Sequence, residues 1–267
     1  MDFIETNHEG VIYMASPDIT TAHAFTTRHG GVSSGIYSSL NLGMKLGDDP
    51  GCVEENYSRI CRALGTMPGD IVCSSQIHSA RIRVVSQKDR KRLFKPNPEQ
   101  ADGLVTCDSG VALTVFTADC VPILLHDPVA GAIGAVHAGW RGTAADIAGA
   151  AVQAMIGEFG CMPENIRAAI GPCISVCCYE TGSDVADAMH KIISDPPVYK
   201  SKSFSSSGKF MADLKECNRR LLIRAGLRDI SVSDECTCCE NEKYWSHRFT
   251  GGKRGSQAAI IVLNKGV

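Results

Sequence analysis

The sequence lacks a long apolar run and an excess of charge of either sign. No stretch in its 267 residues approaches the roughly 18 consecutive apolar residues that a membrane-spanning helix needs. Lys and Arg number 27 and Asp and Glu number 29, so the formal net charge is −2. A chain this close to neutral presents no basic surface for nucleic acid. We therefore expect neither a membrane nor a nucleic acid as its partner.

A secretory signal, internal repeats and clear linkers are also missing. The N-terminal residues, MDFIETNHEG, are acidic and poor in apolar side chains, which is unlike a signal peptide and predicts a cytoplasmic protein. Strand-like and helix-like patterns alternate along the chain, with loops predicted at the basic run 88–95 and the Ser-rich segment 201–208. This alternation predicts a single α/β domain over residues 1–267.

Cysteine, by contrast, is abundant. The chain has 13 cysteines, an odd number, and it is long enough to bury a core without disulfides. We therefore expect free thiols in a reducing compartment, most of them acting as small buried apolar groups. Cys177 and Cys178, with Cys236, Cys238 and Cys239, are candidates for a thiolate-rich structural zinc site. Their C-C and C-x-C-C spacings are interpreted as unlike the usual C-x-x-C pairs, which argues against that site.

Residues 111–146 contain the pattern around which the chain is organised. Two apolar β-like runs are joined at Asp119 and Cys120, and a third run leads to His137 and a Gly-rich turn. Sites in open sheets form at strand ends, and His78 also lies in a strand-like segment. Two imidazoles and one thiolate make a zinc ligand set that leaves a fourth position free. Their wide spacing matches no short zinc motif, so a metal-free nucleophile–base pair of Cys120 and His137 stays open.

The Gly/Ser-rich loop 26–35 is a weaker candidate for a binding element. Its backbone N–H groups could face an anion, with Arg28 as a fork for phosphate or carboxylate. Composition alone favours a surface turn whose glycines adopt positive φ. In an extended segment, Gln76 and His78 would share one face.

Several motifs, in order along nearly the whole chain, are characteristic of one family. They are FTTRHGGVSSGIYSSLNLG (25–43), GDDP (47–50), QIHSARI (76–82), ADGLVT (101–106), TADCVPILLHDP (117–128), AVHAGWRGTA (135–144), AIGPCISVCCYE (169–180) and CT…WSHR (236–248). Through them the chain resembles the YfiH/YlmD-like family, long called multicopper polyphenol oxidase or laccase-domain proteins. Its members are described as zinc-dependent purine nucleoside phosphorylases with adenosine deaminase activity.

The resemblance implies a fold, a cofactor and substrates. It implies an α/β fold, α+β in some schemes, with a mixed central sheet flanked by helices and a layered architecture like that of cysteine hydrolases. It implies that His78, Cys120 and His137 bind zinc. Purine nucleosides and phosphate are the expected substrates, and a monomer or homodimer is the expected state.

The resemblance also indicates which residues would bind phosphate. Arg28, with the nearby loop amides, and Arg248 are candidates, because guanidinium groups match phosphate geometry. The family's C-terminal motif usually continues Ser-Tyr-Arg-Arg and later Thr-Gly-Arg, whereas residues 246–249 here read SHRF. Arg254 or Lys253 is the expected substitute for the later basic group.

Other residues receive predicted roles in deamination and substrate contact. Zinc would supply hydroxide for attack on the adenine ring, and Asp119 or Glu180 would protonate the leaving ammonia. Asn41 and Gln76 are expected to contact ribose hydroxyls or purine edges. Trp140 either stacks on the base or belongs to the core.

Three alternative functions are compatible with the sequence. A copper-dependent polyphenol oxidase, the older family label, would normally need many His ligands, and the chain has 8 histidines. A Cys-dependent hydrolase or amidase would act through Cys120 in peptidoglycan editing, to which some members of the resembled family are linked. A non-enzymatic protein would use zinc to stabilise a partner-binding fold.

Overall fold

The computed structural model describes residues 2–90, 99–201 and 208–263. Residues 91–95 of the predicted basic loop and 202–207 of the predicted Ser-rich loop lie outside the described residues. Within the described part of the chain, no helix combines the length and the apolar character needed to cross a membrane.

The described strands form two large sheets and one small sheet. The first sheet contains β1 (Ile4–His8), β2 (Val11–Ala15), β3 (His23–Thr26), β4 (Ile71–Val72), β7 (Ala112–Thr117) and β15 (Gln257–Val262), in the order β1-β2-β3-β15-β7-β4. The second contains β5 (Ile82–Val84), β6 (Gly103–Thr106), β8 (Val121–Asp127), β9 (Ala132–Ala138), β10 (Arg167–Ile170) and β14 (Ile230–Val232), in the order β14-β10-β8-β9-β6-β5. The small sheet contains β11 (Glu180–Thr181), β12 (Val198–Lys200) and β13 (Phe210–Ala212).

The described residues also form six α-helices. They are α1 (Pro50–Ala63), α2 (Trp140–Ala144), α3 (Ile147–Phe159), α4 (Ser183–Ile192), α5 (Leu214–Arg224) and α6 (His247–Thr250). The spacing of Asp213 and Glu216 in the sequence predicts a helix cap, which is confirmed because the Asp213 carboxylate accepts the N–H of Glu216 at 3.0 Å. The predicted α/β class is confirmed as well. The sequence patterns did not reveal that the strands are divided between two large sheets.

Three apolar cores separate these layers. Leu113 of β7 and Leu124 of β8 meet between the two sheets. Tyr57 of α1 packs on the outer face of the first sheet, and Val152 of α3 packs with Ile123 of β8 on the outer face of the second. Adjacent residues such as Ile123 and Leu124 enter different cores, because successive side chains of a strand point to opposite faces. Burial on both faces explains why residues 121–125 of β8 form an uninterrupted apolar run in the sequence.

Two local predictions were wrong. The sequence of residues 71–78 predicts one strand, but the strand covers only Ile71–Val72, Ser75 forms an isolated bridge with Gln100, and the N–H groups of residues 77–79 bond a buried carboxylate instead. The spacing of Thr143 and Asp146 predicts a capping box, with a helix that begins at Thr143 and has Asp146 at the third position. Instead, Asp146 itself is the N-cap of α3, and its carboxylate accepts the N–H of Gly149 at 3.1 Å.

The packing between the sheets makes a prediction about Gly171. A Cβ at this position would overlap the ring of Phe25, which is 2% exposed and lies between the layers. Gly171→Ala is therefore expected to lower the free energy of unfolding by roughly 1–3 kcal/mol, the usual effect of overpacking. Gly69→Ala is the matched control, since a Cβ there would meet no atom within 4 Å. Urea unfolding of both variants tests this, and equal midpoints would contradict the packing described.

Candidate metal centre and substrate pocket

Three predicted ligands converge where two strands of the second sheet meet the loop after β4. Cys120 directly precedes β8, and His137 lies on β9 opposite Pro122. His78 reaches them from the loop, with its Nε2 atom 4.0 Å from the Cys120 Sγ atom. A ligand atom from each of the three residues lies within 4.8 Å of the others. The group has the donor set and spacing that a single metal ion requires.

The backbone at this centre adopts conformations that side chains rarely permit. His78 has φ 60° and Asp119 has φ 91°, both in the region that favours glycine. Such positions persist where surrounding bonds hold them, and they cluster at functional sites. A third close constraint is Gly139, where a Cβ would lie 2.8 Å from the His78 ring. Any larger residue at this position would displace the His78 imidazole.

Asp102 organises the centre, although no pattern in the sequence indicates a role for it. Its carboxylate is buried and accepts the backbone N–H groups of Ile77, His78 and Ser79 at 2.7 to 3.2 Å. It also bonds the Nδ1 atom of His137 at 3.0 Å. The other ring nitrogen of His137, Nε2, then faces the centre. Carboxylate–imidazole pairs of this kind orient the His ligands of metal sites.

Hydrogen bonds shift the pKa values of this group. Burial opposes ionisation of Asp102, but bonds from His137 and Ser79 outweigh it and hold the carboxyl pKa well below its usual range. Burial would also raise the pKa of the Cys120 thiol, yet the neighbouring His137 and His78 lower it to about 6. Despite burial, Asp102 and Cys120 raise the pKa of His137 to about 9. Cys120 is thus disposed to be a thiolate at neutral pH, the form that binds metals or attacks carbon.

The centre opens into a cavity of about 360 Å³. Its wall includes the three candidate ligands, the apolar side chains of Met44, Leu46 and Phe116, and the cationic residues Lys45 and Arg254. A cavity of this size, largely apolar with a few converging polar groups, is typical of small-molecule sites. The Lys45 contribution was missed in the sequence, because it lies in a stretch with no motif of its own.

The comparison with known proteins identifies the family. A profile of the family described as multi-copper polyphenol oxidoreductase laccase matches residues 22–264. The chain belongs to this family.

Several known proteins are similar to this chain along nearly their whole length. "Purine nucleoside phosphorylase YlmD" of Geobacillus stearothermophilus is 37% identical over 97% of this chain and 97% of its own. "Purine nucleoside phosphorylase" of Deinococcus radiodurans is 39% identical over 95% and 94% of the two chains. The crystal structure of the Geobacillus YlmD superposes with a TM-score of 0.91, 36% identity and coverage of 99% and 100%.

Of the residues predicted to contact the substrate of this laccase-family protein, Gln76 lies in the pocket wall. Its side-chain amide is already engaged, because Nε2 donates to the Phe116 carbonyl at 2.8 Å and Oε1 accepts the Phe116 N–H at 2.7 Å. Asn41 is fully buried, and its Oδ1 atom accepts the N–H of Ser256 at 2.9 Å. Trp140 packs against the apolar core beneath α3. The substrate contacts predicted for these three residues stay predictions, because Gln76 and Asn41 bond the backbone and Trp140 packs against the core.

The guanidinium groups of Arg28 and Arg248 both donate to backbone carbonyls of other segments. The Arg28 guanidinium donates to the carbonyls of Ser38 and Asn241 and lies 4.0 Å from the centroid of the Trp245 ring. The Arg248 guanidinium donates to the carbonyls of Cys178 and Glu180. Neither residue belongs to the pocket wall described above.

Asp119 and Glu180 both accept a hydrogen bond from Arg248. Both Asp119 carboxylate oxygens are used, one by the Thr237 hydroxyl at 2.7 Å and one by the Arg248 backbone N–H at 2.6 Å. The Glu180 carboxylate accepts the Ser201 hydroxyl at 3.0 Å. Asp119 therefore positions Cys120 through the loop they share, and the predicted proton-donor roles of Asp119 and Glu180 remain untested.

Proposed function

We propose that this protein is a zinc-dependent purine nucleoside phosphorylase that converts a nucleoside and phosphate into free base and ribose 1-phosphate. One observation supports this most directly: the His78–Cys120–His137 group and two cationic side chains face the same cavity of about 360 Å³. The relatives named purine nucleoside phosphorylase support the same reaction class. Adenosine, inosine, guanosine and methylthioadenosine are the candidate substrates.

The donor set suits zinc. Two imidazoles and one thiolate, with Asp102 orienting His137, match catalytic zinc sites that keep one position for substrate. Bound there, zinc would supply Lewis acidity at neutral pH. Copper is the alternative suggested by the family's description, since a Cys and His group also suits that metal.

The cationic wall would bind phosphate. Arg254 is mostly buried, and its Nη1 atom donates to the Gly255 carbonyl at 2.8 Å. Its Nε atom is buried and has no hydrogen-bond partner among the described residues. Burial lowers the pKa of Arg254, while Asp119 and Cys120 oppose this. A buried guanidinium with an unused donor gains most from an anionic ligand, and Lys45 supplies the second charge.

The reaction would be a substitution at the ribose. A phosphate oxygen forms a bond to C1′ while the C1′–N9 bond breaks, and the base leaves with the bonding electrons and takes up a proton. Lys45 and Arg254 would hold the phosphate in position, which turns a bimolecular encounter into an oriented attack. The apolar wall, including Phe116, would bury the base and exclude water. Adenosine deamination at the same centre is the second part of the proposal.

Substitution of Arg254 tests the phosphate assignment. Arg254→Gln is expected to raise KM for phosphate by about tenfold or more, because a charge-assisted bond contributes roughly 1.5–3 kcal/mol. Lys253→Gln is the matched control, since Lys253 is exposed and lies outside the pocket wall. Steady-state rates at varied phosphate give both constants. A larger effect from Lys253 would assign the anion to the neighbouring side chain.

The reaction class is tested by product analysis. The protein is incubated with adenosine, with and without phosphate, and the products are separated by chromatography. Adenine with ribose 1-phosphate, formed only with phosphate, is the expected result. Inosine in both buffers would establish the deaminase. Turnover that ignores phosphate, without ribose 1-phosphate, would refute the phosphorylase.

A metal-free cysteine hydrolase is the second candidate. Cys120, His137 and Asp102 form a thiol–imidazole–carboxylate series, in which Asp102 orients His137 and His137 lowers the pKa of Cys120. This is the arrangement of catalytic triads. His78 distinguishes the two candidates, because a triad does not need it and a metal centre does.

A further inference from the structure

Four cysteines form a second candidate ligand group, separate from the His78–Cys120–His137 group. Cys177 and Cys178 come from the segment after β10, and Cys236 and Cys239 from the turn after β14. Their four Sγ atoms lie within 4.8 Å of one another. We propose that these four sulfur atoms bind one zinc ion, at a site separate from the His78–Cys120–His137 group.

The sulfur positions fit a single tetrahedral ion. Zn–S bonds of about 2.3 Å place the ligands of a tetrahedral site roughly 3.8 Å apart. The Cys177 and Cys178 sulfur atoms are 3.7 Å apart, and each lies near Cys239, at 3.6 and 3.3 Å. Tetrahedral sites with four sulfurs select zinc or iron–sulfur clusters, and a group this compact has room for one ion rather than a cluster.

The local backbone supports a bound thiolate. Cys236 and Cys239 are themselves a C-x-x-C pair, which the intervening Cys238 hides in the sequence as C-x-C-C. The backbone N–H of Ser175 donates to the Cys236 Sγ atom at 3.3 Å. Hydrogen bonds to sulfur are characteristic of metal-bound cysteines. Cys238 is outside the group, which makes it a built-in comparison.

The proposed zinc would fasten two segments that already touch. Cys173 and Cys236 form an isolated parallel bridge, and the N–H of Thr237 donates to the Cys173 carbonyl at 3.1 Å. A metal bonded to all four sulfurs would cross-link these segments covalently.

The proposed zinc site would also position the loop that carries Asp119 and Cys120. Thr237 lies inside the C-x-x-C turn, and its hydroxyl donates to the Asp119 carboxylate at 2.7 Å. Arg248 bonds the same carboxylate through its backbone N–H and holds the Cys178 carbonyl through its guanidinium. The segment of Cys236 and Cys239 therefore contacts Asp119, the residue before Cys120, directly, and the segment of Cys178 is linked to it through Arg248. Thr237 and Asp119 are positioning residues in this arrangement.

Metal content tests the proposal independently of catalysis. Protein produced with added zinc is expected to bind about two zinc ions per chain, and Cys239→Ser about one fewer. Cys238→Ser is the matched control and should keep the wild-type content. Cys120→Ser should lose the other ion, and the double variant Cys120→Ser/Cys239→Ser both. If Cys120→Ser keeps all its zinc while Cys239→Ser loses one ion, the proposed catalytic centre is wrong and the four-cysteine site stands.

Thiol labelling of the wild-type protein covers the case in which Cys239→Ser does not fold. Cys177, Cys178 and Cys239 are expected to resist alkylation while zinc is bound and to react after chelation. Cys107, exposed and outside both groups, should react in both states. Equal zinc content in wild type and Cys239→Ser, iron with sulfide in place of zinc, or a Cys178–Cys239 disulfide in protein isolated under reducing conditions would overturn the proposal.

Discussion

His78→Asn is expected to lose bound metal at the proposed catalytic centre and to lower kcat/KM for phosphorolysis by roughly 10²–10³-fold or more, since Lewis acidity is worth several kcal/mol. Asparagine is chosen because it tolerates the left-handed backbone that His78 adopts at φ 60°. His78 is exposed, so its replacement should leave the free energy of unfolding of the zinc-loaded protein nearly unchanged apart from the metal's own contribution.

The control for this variant is His190→Asn, which removes an exposed imidazole on α4 that belongs to neither candidate ligand group. Metal analysis and initial rates are measured on both proteins. Wild-type rates in His78→Asn, with the rate still dependent on Cys120, would favour the metal-free triad of Cys120, His137 and Asp102 and would contradict a metal-dependent centre.

Asp102→Asn is expected to weaken metal binding at the same centre by about 10–100-fold, the usual effect of losing a residue that orients a His ligand. An amide offers one acceptor oxygen where the carboxylate offers two, so one of the backbone N–H groups of residues 77–79 loses its partner. Leaving such a buried donor unpaired costs roughly 1–3 kcal/mol. Metal affinity by chelator competition and stability by urea unfolding measure the two effects.

Asp108→Asn is the comparison for Asp102→Asn, because Asp108 is partly exposed and accepts a bond from the Gln87 backbone at the surface. It should change neither metal affinity nor the unfolding midpoint by much. Unchanged metal affinity in Asp102→Asn would mean that the bond to His137 does not orient a ligand, and the centre would need another explanation.

The metal-ligand candidates could be predicted because their residue types carry the chemistry. A thiol and two imidazoles at strand ends are recognisable in a single sequence, and His78, Cys120 and His137 do converge. Asp102 could not be recognised in this way. Aspartate is common in loops, and its role depends on burial and on hydrogen bonds to His137 that only the folded chain creates.

The remaining differences have the same physical origin. Asp102 takes the backbone hydrogen bonds of residues 77–79, so these residues form a turn and do not continue the expected strand, although their side-chain pattern favours extension. Arg28 resembles a phosphate ligand in the sequence, but nearby carbonyls already occupy its donors. The four-cysteine group was discounted on spacing, because two segments distant in the chain supply its pairs. Periodicity reports burial and says little about which distant residues meet.

The most direct test of the central claim is a zinc titration of metal-free protein, followed by ribose 1-phosphate production from inosine and phosphate. We predict no product before zinc is added and a rate that rises with zinc and then saturates, because the His78–Cys120–His137 centre must be filled for turnover. Full phosphorolysis by metal-free protein, or activity restored by copper and not by zinc, would contradict the account.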